Sequence, residues 1–231
     1  MPPNTLEDLF TALPRAADGT GILDKRNPAY LAIQGRIAEL LNYKDPAQVN
    51  LAFGQVSPKI SCGPAFFREG YDDPLEIFML RTVQQQIGLG GPAKWMIGGG
   101  GFINSKAING PAGVMFESPA MNANRTCKLR LGFDLKLPLN TVWVPITKQP
   151  YDVTNETNVH GIIFKAPLYM SQKAARLLEA AAATVNAVGR WFGPQEFSDM
   201  VASGDHTMDV GEIDFVHGCM DKQYALTLYQ A

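Results

Sequence analysis

The sequence predicts an α+β fold built on a mostly antiparallel β core. Three observations carry this expectation. Residues 127–137 alternate between apolar and polar side chains, helical patterning gathers in the first fifty residues and one later stretch, and no regular strand–helix–strand alternation occurs. A period of two with one wet face favours antiparallel pairing over a parallel sheet covered on both sides. A jelly-roll-like sandwich is the closed form such a sheet would take. The expected organisation is a helical N-terminal region, 1–50, followed by a β-rich core, 51–231, in one domain. That core would carry a glycine-rich arm, 88–113, and a helix, 172–188.

Taken in order, Thr5 and Asp8 make a capping pattern ahead of Leu6, Leu9, Phe10 and Leu13, and Pro14 with Asp18-Gly19 ends that helix. Asn27 caps a second helix with Pro28 in its first position, where the missing N–H costs nothing. Leu31, Ile33, Ile37, Leu40 and Leu41 give this helix its apolar side. A third helix is predicted after Asp73-Pro74, with Leu75, Met79, Val83 and Ile87 four residues apart and Gly88 as the stop. The arm 88–113 holds nine glycines, four of them consecutive at Gly98–Gly101, with Trp95 and Phe102 as its anchors.

The clearest predicted strand is Cys127–Leu137, in which Leu129, Leu131, Phe133, Leu135 and Leu137 alternate with polar neighbours. Further strands are predicted at 141–147, 159–166, 208–216 and 224–229, with others at 49–56 and 113–117. Ser171 caps the helix 172–188, where seven of 17 residues are alanine and Leu177, Ala181, Val185 and Val188 form the expected stripe. A short helix, 194–202, follows.

Composition excludes several classes. With 46% hydrophobic residues among 231, the chain is no disordered tail. Twenty basic against 22 acidic residues give a net charge of −2, so no global basic field advertises nucleic-acid binding. No basic segment precedes an apolar run at the N-terminus, and no stretch reaches the ~18 apolar residues of a membrane span. Three cysteines, Cys62, Cys127 and Cys219, read as reduced thiols and not as a disulfide framework.

No motif fixes an activity. The run GGGGFINSK departs from a phosphate-binding loop, because Ser105 precedes Lys106 and Ala107 follows it. Asp205, His206, Asp209, Glu212, Asp214, His217 and Cys219 lie close in sequence but lack zinc-ligand spacing, so no metal and no cofactor is expected. No G-x-S-x-G elbow is present, and a dispersed catalytic set would have to gather around His160, His206 or His217.

Charge is divided along the chain. Residues 120–150 hold Arg125, Lys128, Arg130, Lys136 and Lys148 against Asp134, a balance of +4, whereas residues 190–231 hold seven acids and two bases, a balance of −5. Low charge, a glycine arm, a wet-faced strand and no catalytic signature together predict a non-enzymatic, self-assembling capsid or virion subunit, viral or bacteriophage. Its partners would be its own copies or other virion proteins, and its place the virion, assembled in host cytoplasm. The expected subunit interface combines Trp95, Phe102, Lys128, Arg130 and Lys136 with Asp205, Asp209 and Asp214. The alternative is a single-stranded nucleic-acid-binding module using Arg125, Lys128, Arg130 and Lys136, with Trp143 or Trp95 for base stacking.

Overall fold

The computed structural model describes residue 28 and residues 59–71, 74–82, 93–98, 101–102, 107–110, 113–138, 141–147, 161–185 and 187–230. Pro28 is helical and exposed, while the rest of the expected N-terminal helices, the strand at 49–56 and His160 lie outside these residues. The chain divides into two compact units. The first comprises Met1–Cys62, Gly101–Asn122 and Thr147–Phe164, and the second Gly63–Gly100, Ala123–Ile146 and Lys165–Ala231.

In the first unit, β4 (Gly101–Phe102) pairs antiparallel with the start of β1 (Lys59–Glu69), Ser61 facing Phe102. Strands β5 (Ala107–Gly110) and β6 (Gly113–Phe116) form a separate antiparallel pair. Glu117, 3% exposed, accepts from Asn122 Nδ2 at 3.2 Å.

The second unit is organised by a mixed sheet of order β10-β8-β1-β2-β3, formed with β2 (Leu75–Thr82), β3 (Met96–Ile97), β8 (Gly161–Met170) and β10 (Thr227–Tyr229). Strand β9 (Ala187–Phe192) also pairs β2, and β7 (Val144–Thr147) pairs β8. β10 runs parallel to β8, whereas β1–β2 and β2–β9 are antiparallel. A turn closed by Gly70 N–H donating to Pro74 O (2.8 Å) joins β1 to β2.

Four helices among the described residues complete the architecture: α1 (Pro119–Leu131), α2 (Gln172–Thr184), α3 (Pro194–Ala202) and α4 (Val210–Met220). Strand periodicity sends Phe66, Phe78, Leu80 and Trp191 to one sheet face, where they join Cys127 and Leu131 of α1 and Ala174, Leu178 and Ala182 of α2 in one buried cluster. The opposite face presents Phe67, Ile77, Met79 and Phe192, all buried, and α3 and α4 pack on β9 and β2 with Phe197 and Phe215 buried. The unit is therefore an α/β sandwich with a mixed sheet, which corrects the expected antiparallel or jelly-roll core.

Four element assignments change with it. The expected strand 127–137 is the end of α1, 127–131, and irregular chain, 132–137. Ala123, Cys127 and Leu131, four residues apart, are its buried stripe, while Leu129 is 71% exposed. Gly132, at φ 65°, ends α1 with its N–H on Lys128 O (3.0 Å), and a Cβ there would meet Val185 at 3.1 Å. Beyond it, Phe133 and Leu135 are buried between exposed Gly132, Asp134 and Lys136, in irregular chain that forms no strand.

The first part of the expected third helix, 75–82, is strand β2, and Val83, Ile87 and Gly88 lie outside the described residues. Ile77, Phe78, Met79 and Leu80 are consecutively buried, as a strand covered on both faces requires. The expected strand 208–216 is replaced by α4, whose start is a reciprocal cap: Glu212 N–H donates to Asp209 Oδ1 (2.9 Å) and Asp209 N–H to Glu212 Oε2 (3.4 Å). The helix expected to reach residue 188 ends at Thr184, and Ala187 onward becomes β9. Its Ser171 cap is as expected, Oγ accepting from Ala174 N–H at 3.3 Å. Its buried stripe is Ala174, Ala175, Leu178 and Ala182, displacing the expected one, since Leu177 is 46% exposed. The helix 194–202 forms as α3.

Candidate functional site

Strands β1, β8 and β10 end at the same place. The chain leaves β8 at Met170 and enters α2 through Ser171, whose N–H donates to Tyr229 O (3.1 Å) at the end of β10. At the end of β1, Glu69 Oε2 accepts from the Tyr169 hydroxyl of β8 at 3.4 Å. In open α/β sheets, ligands occupy the crevice outside the carboxyl ends of strands, where connections diverge and leave a gap.

Here such a crevice, about 510 Å³, is lined by Arg68, Glu69, Gly70, Tyr71 and Glu76 from the β1–β2 turn and by 169–172, Ala175 and Arg176 from the β8–α2 junction. Its volume falls within the ~300–1,000 Å³ of small-ligand sites.

The charges around it are unequal in availability. Arg68 Nε donates to Glu76 Oε2 (2.8 Å), its Nη1 to Glu179 Oε1 (2.9 Å), and its guanidinium lies 4.4 Å over the Trp191 ring. Glu179 Oε1 also accepts from Trp191 Nε1 at 2.6 Å, so Arg68 is held in a closed network. Arg176, one turn into α2 and exposed, has no ion-pair partner among the described residues. Tyr71 is fully exposed, which leaves a ring face open at the rim.

The start of α2 adds a third feature. The first N–H groups of a helix have no intrahelical acceptor, and the aligned peptide dipoles favour negative charge there. No acidic side chain occupies the first turn of α2 to satisfy that preference, and Gln172 lines the crevice.

The residues singled out in the sequence are dispersed. Trp95, 8% exposed, packs edge-on against Phe192 at 4.8 Å beneath the Arg81 guanidinium at 4.4 Å, so it offers no ring for stacking. Phe102 pairs through its backbone in β4. Asp205 pairs with Arg81, Asp209 caps α4, and Asp214 is exposed. His206 sits beside Trp95 in a parallel bridge, and His217 lies edge-on to Phe197 at 5.3 Å. Arg125, Lys128, Arg130 and Lys136 are all exposed, and Trp143 is half-buried against the core. Among the described residues no group of three or more His, Cys, Asp or Glu side chains is placed to hold a metal. The sequence marks none of the crevice residues as a site residue, and Ser171 reads there only as a helix cap.

The cysteines are buried and free. Burial pushes the Cys127 thiol up to about 12, helped by the charge of Asp134, and burial does the same for Cys219. At pH 8 the thiolate fraction of either is about one in ten thousand, so neither should react with Ellman's reagent while folded, and all three should react after denaturation. Fast native labelling of Cys127 or Cys219 would contradict this. As pH rises from 9.0 toward 12 the unfolded thiols ionise before the folded ones, so stability falls across that window.

No family model matches the sequence, and no curated protein matches it. Solved structures do. A mutT/nudix family protein from Listeria innocua matches at 12% identity and TM-score 0.42, over 73% of this chain and 96% of that one. The NUDIX domain of Shewanella oneidensis NrtR, solved with ADP ribose, matches at 12% and 0.41, over 81% and 98%. T. brucei MERS1 in its apo form matches at 15% and 0.41, over 67% and 64%. The chain spans 63% of the Shewanella oneidensis NrtR chain, matched at 9% identity and TM-score 0.39.

The expectation of a non-enzymatic capsid subunit is corrected at the observation that motivated it: in the supposed wet-faced strand, residues 127–131 are helix α1 and residues 132–137 form no strand.

Proposed function

We propose that the crevice at the carboxyl ends of β1, β8 and β10 binds a small phosphorylated ligand bearing a planar ring, the chemistry of a nucleotide. The observation that carries this reading is the start of α2: a helix N-terminus with no acid in its first turn, opening on a 510 Å³ crevice beside Arg176. A phosphate there would take backbone N–H donors and the Arg176 fork, and Tyr71 would stack on the ring. Glu69, with only the Tyr169 hydroxyl as a described partner, is the carboxylate available to take a proton from water.

Calorimetric titration with ADP, adenosine and inorganic phosphate tests this, with the ADP mixture also assayed for released phosphate. ADP should bind more tightly than either fragment. Arg176→Glu should weaken ADP about 10- to 150-fold, the loss of one charge-assisted contact of about 1.5–3 kcal/mol. Equal affinity in the variant, or no binding of ADP at millimolar concentration, would remove the reading.

A further inference from the structure

We infer that Glu179 is the positioning residue of the crevice, the group that sets the roll of α2 and so turns its first turn and Arg176 toward the ligand. The inference rests on the crevice reading and adds what holds the phosphate donors in place. Glu179 does not itself line the crevice. It lies on α2 three residues beyond Arg176 and seven beyond Gln172, so the three share one helix face.

The buried stripe of α2 does little to fix that face. It consists of Ala174, Ala175, Leu178 and Ala182, in which only Leu178 carries more than a methyl group. Alanines allow close approach but raise small ridges, so interlocking with the sheet resists rotation about the helix axis only weakly.

Directional bonds supply what packing does not. Before the first turn, Ser171 N–H donates to Tyr229 O at 3.1 Å, which anchors one end of α2. Two turns on, Glu179 Oε1 accepts from Arg68 Nη1 at 2.9 Å and from Trp191 Nε1 at 2.6 Å. Those donors stand on β1 and β9, which flank β2 on its two sides, so one oxygen is held from two directions. Both donors are themselves fixed. Arg68 is bound at 2.8 Å to Glu76, directly opposite it on β2, and Trp191 is 8% exposed and packed edge-on against Phe78.

Charge and position predict opposite results when Glu179 is removed. A carboxylate near a phosphate repels it, so loss of the charge alone would tighten ADP binding. Loss of the tie would loosen it.

Calorimetric titration of the full chain with ADP tests the inference, with circular dichroism showing each variant folded. Glu179→Ala should weaken ADP about tenfold, although it removes a negative charge. In that background Arg176→Glu should cost at least about fivefold less affinity than in the wild type, because the arginine is no longer aimed at the phosphate. Glu179→Gln keeps an oxygen for both donors and should bind ADP within about threefold of wild type. Trp191→Phe, which removes one donor and no charge, should weaken ADP about threefold.

Tighter or unchanged ADP binding in Glu179→Ala, a Glu179→Gln loss equal to that of Glu179→Ala, or full additivity with Arg176→Glu would overturn the proposal. A wild type that binds ADP and responds to Arg176→Glu, but not to Glu179→Ala, removes this inference and leaves the crevice reading standing. A wild type that does not bind ADP removes both.

Discussion

Glu212→Gln is expected to destabilise the second unit by about 3–5 kcal/mol. Lys165 is 4% exposed on β8, and its ammonium meets Glu212 Oε1 of α4 at 3.0 Å, with that carboxylate 13% exposed. Strand alternation places Lys165 opposite Ala166 and Leu168, which belong to the cluster beneath α1 and α2. An ammonium so placed cannot recover its hydration, and the amide removes the charge that offsets this while keeping the oxygen that caps α4. An exposed pair such as Lys128–Asp134 would cost under about 1 kcal/mol.

The companion Lys165→Met removes the buried charge itself and should cost less, and the double variant should recover most of the loss. All three tryptophans, Trp95, Trp143 and Trp191, belong to the second unit, so their fluorescence in a urea titration reports its unfolding. A loss below about 1 kcal/mol for Glu212→Gln would mean that the pair is solvated.

Phe78→Ala should cost about 3–5 kcal/mol through lost burial and the cavity left behind. The side chain is fully buried, with its ring edge-on to Trp191 at 5.1 Å. Gly189 on β9 shows how closely backbone approaches it, since a Cβ there would fall 2.2 Å from Phe78 Cζ. Gly189→Ala alone should therefore cost about 1–3 kcal/mol by overpacking. In the Phe78→Ala background the same methyl enters vacated space and should cost little or stabilise. Additive losses in the double variant would show that the two positions do not share that space.

Legibility followed the range of the signal. Ser171 and Pro194 announced α2 and α3 because capping chemistry is local. Helix α1 was hidden by its own continuation: the alternation that includes buried Phe133 and Leu135 runs back through Leu129 and masks the four-residue spacing of Ala123, Cys127 and Leu131. Strand β2 resembled a helix because Leu75, Met79, Val83 and Ile87 happen to fall four residues apart, whereas the burial of Ile77, Phe78, Met79 and Leu80 in succession has no helical period. Asp209 and Glu212 carried the capping pattern that marks α4, but a run of apolar residues at every second or third position suggested a strand.

The crevice was unreadable in principle. It joins residues 68–76 to 169–176, which only the sheet brings together, and nothing in the sequence sets Arg176 apart from the other arginines. The charge division was legible as a balance along the chain, whereas the pairing of Asp205 with Arg81 and of Glu212 with Lys165 depends on the fold.

Hydrogen exchange read by mass spectrometry, with and without saturating ADP, tests the crevice most directly. Slower exchange confined to residues 68–71 and 171–176 is the predicted result. Unchanged exchange in both segments, or protection gathered on α4 instead, would contradict it.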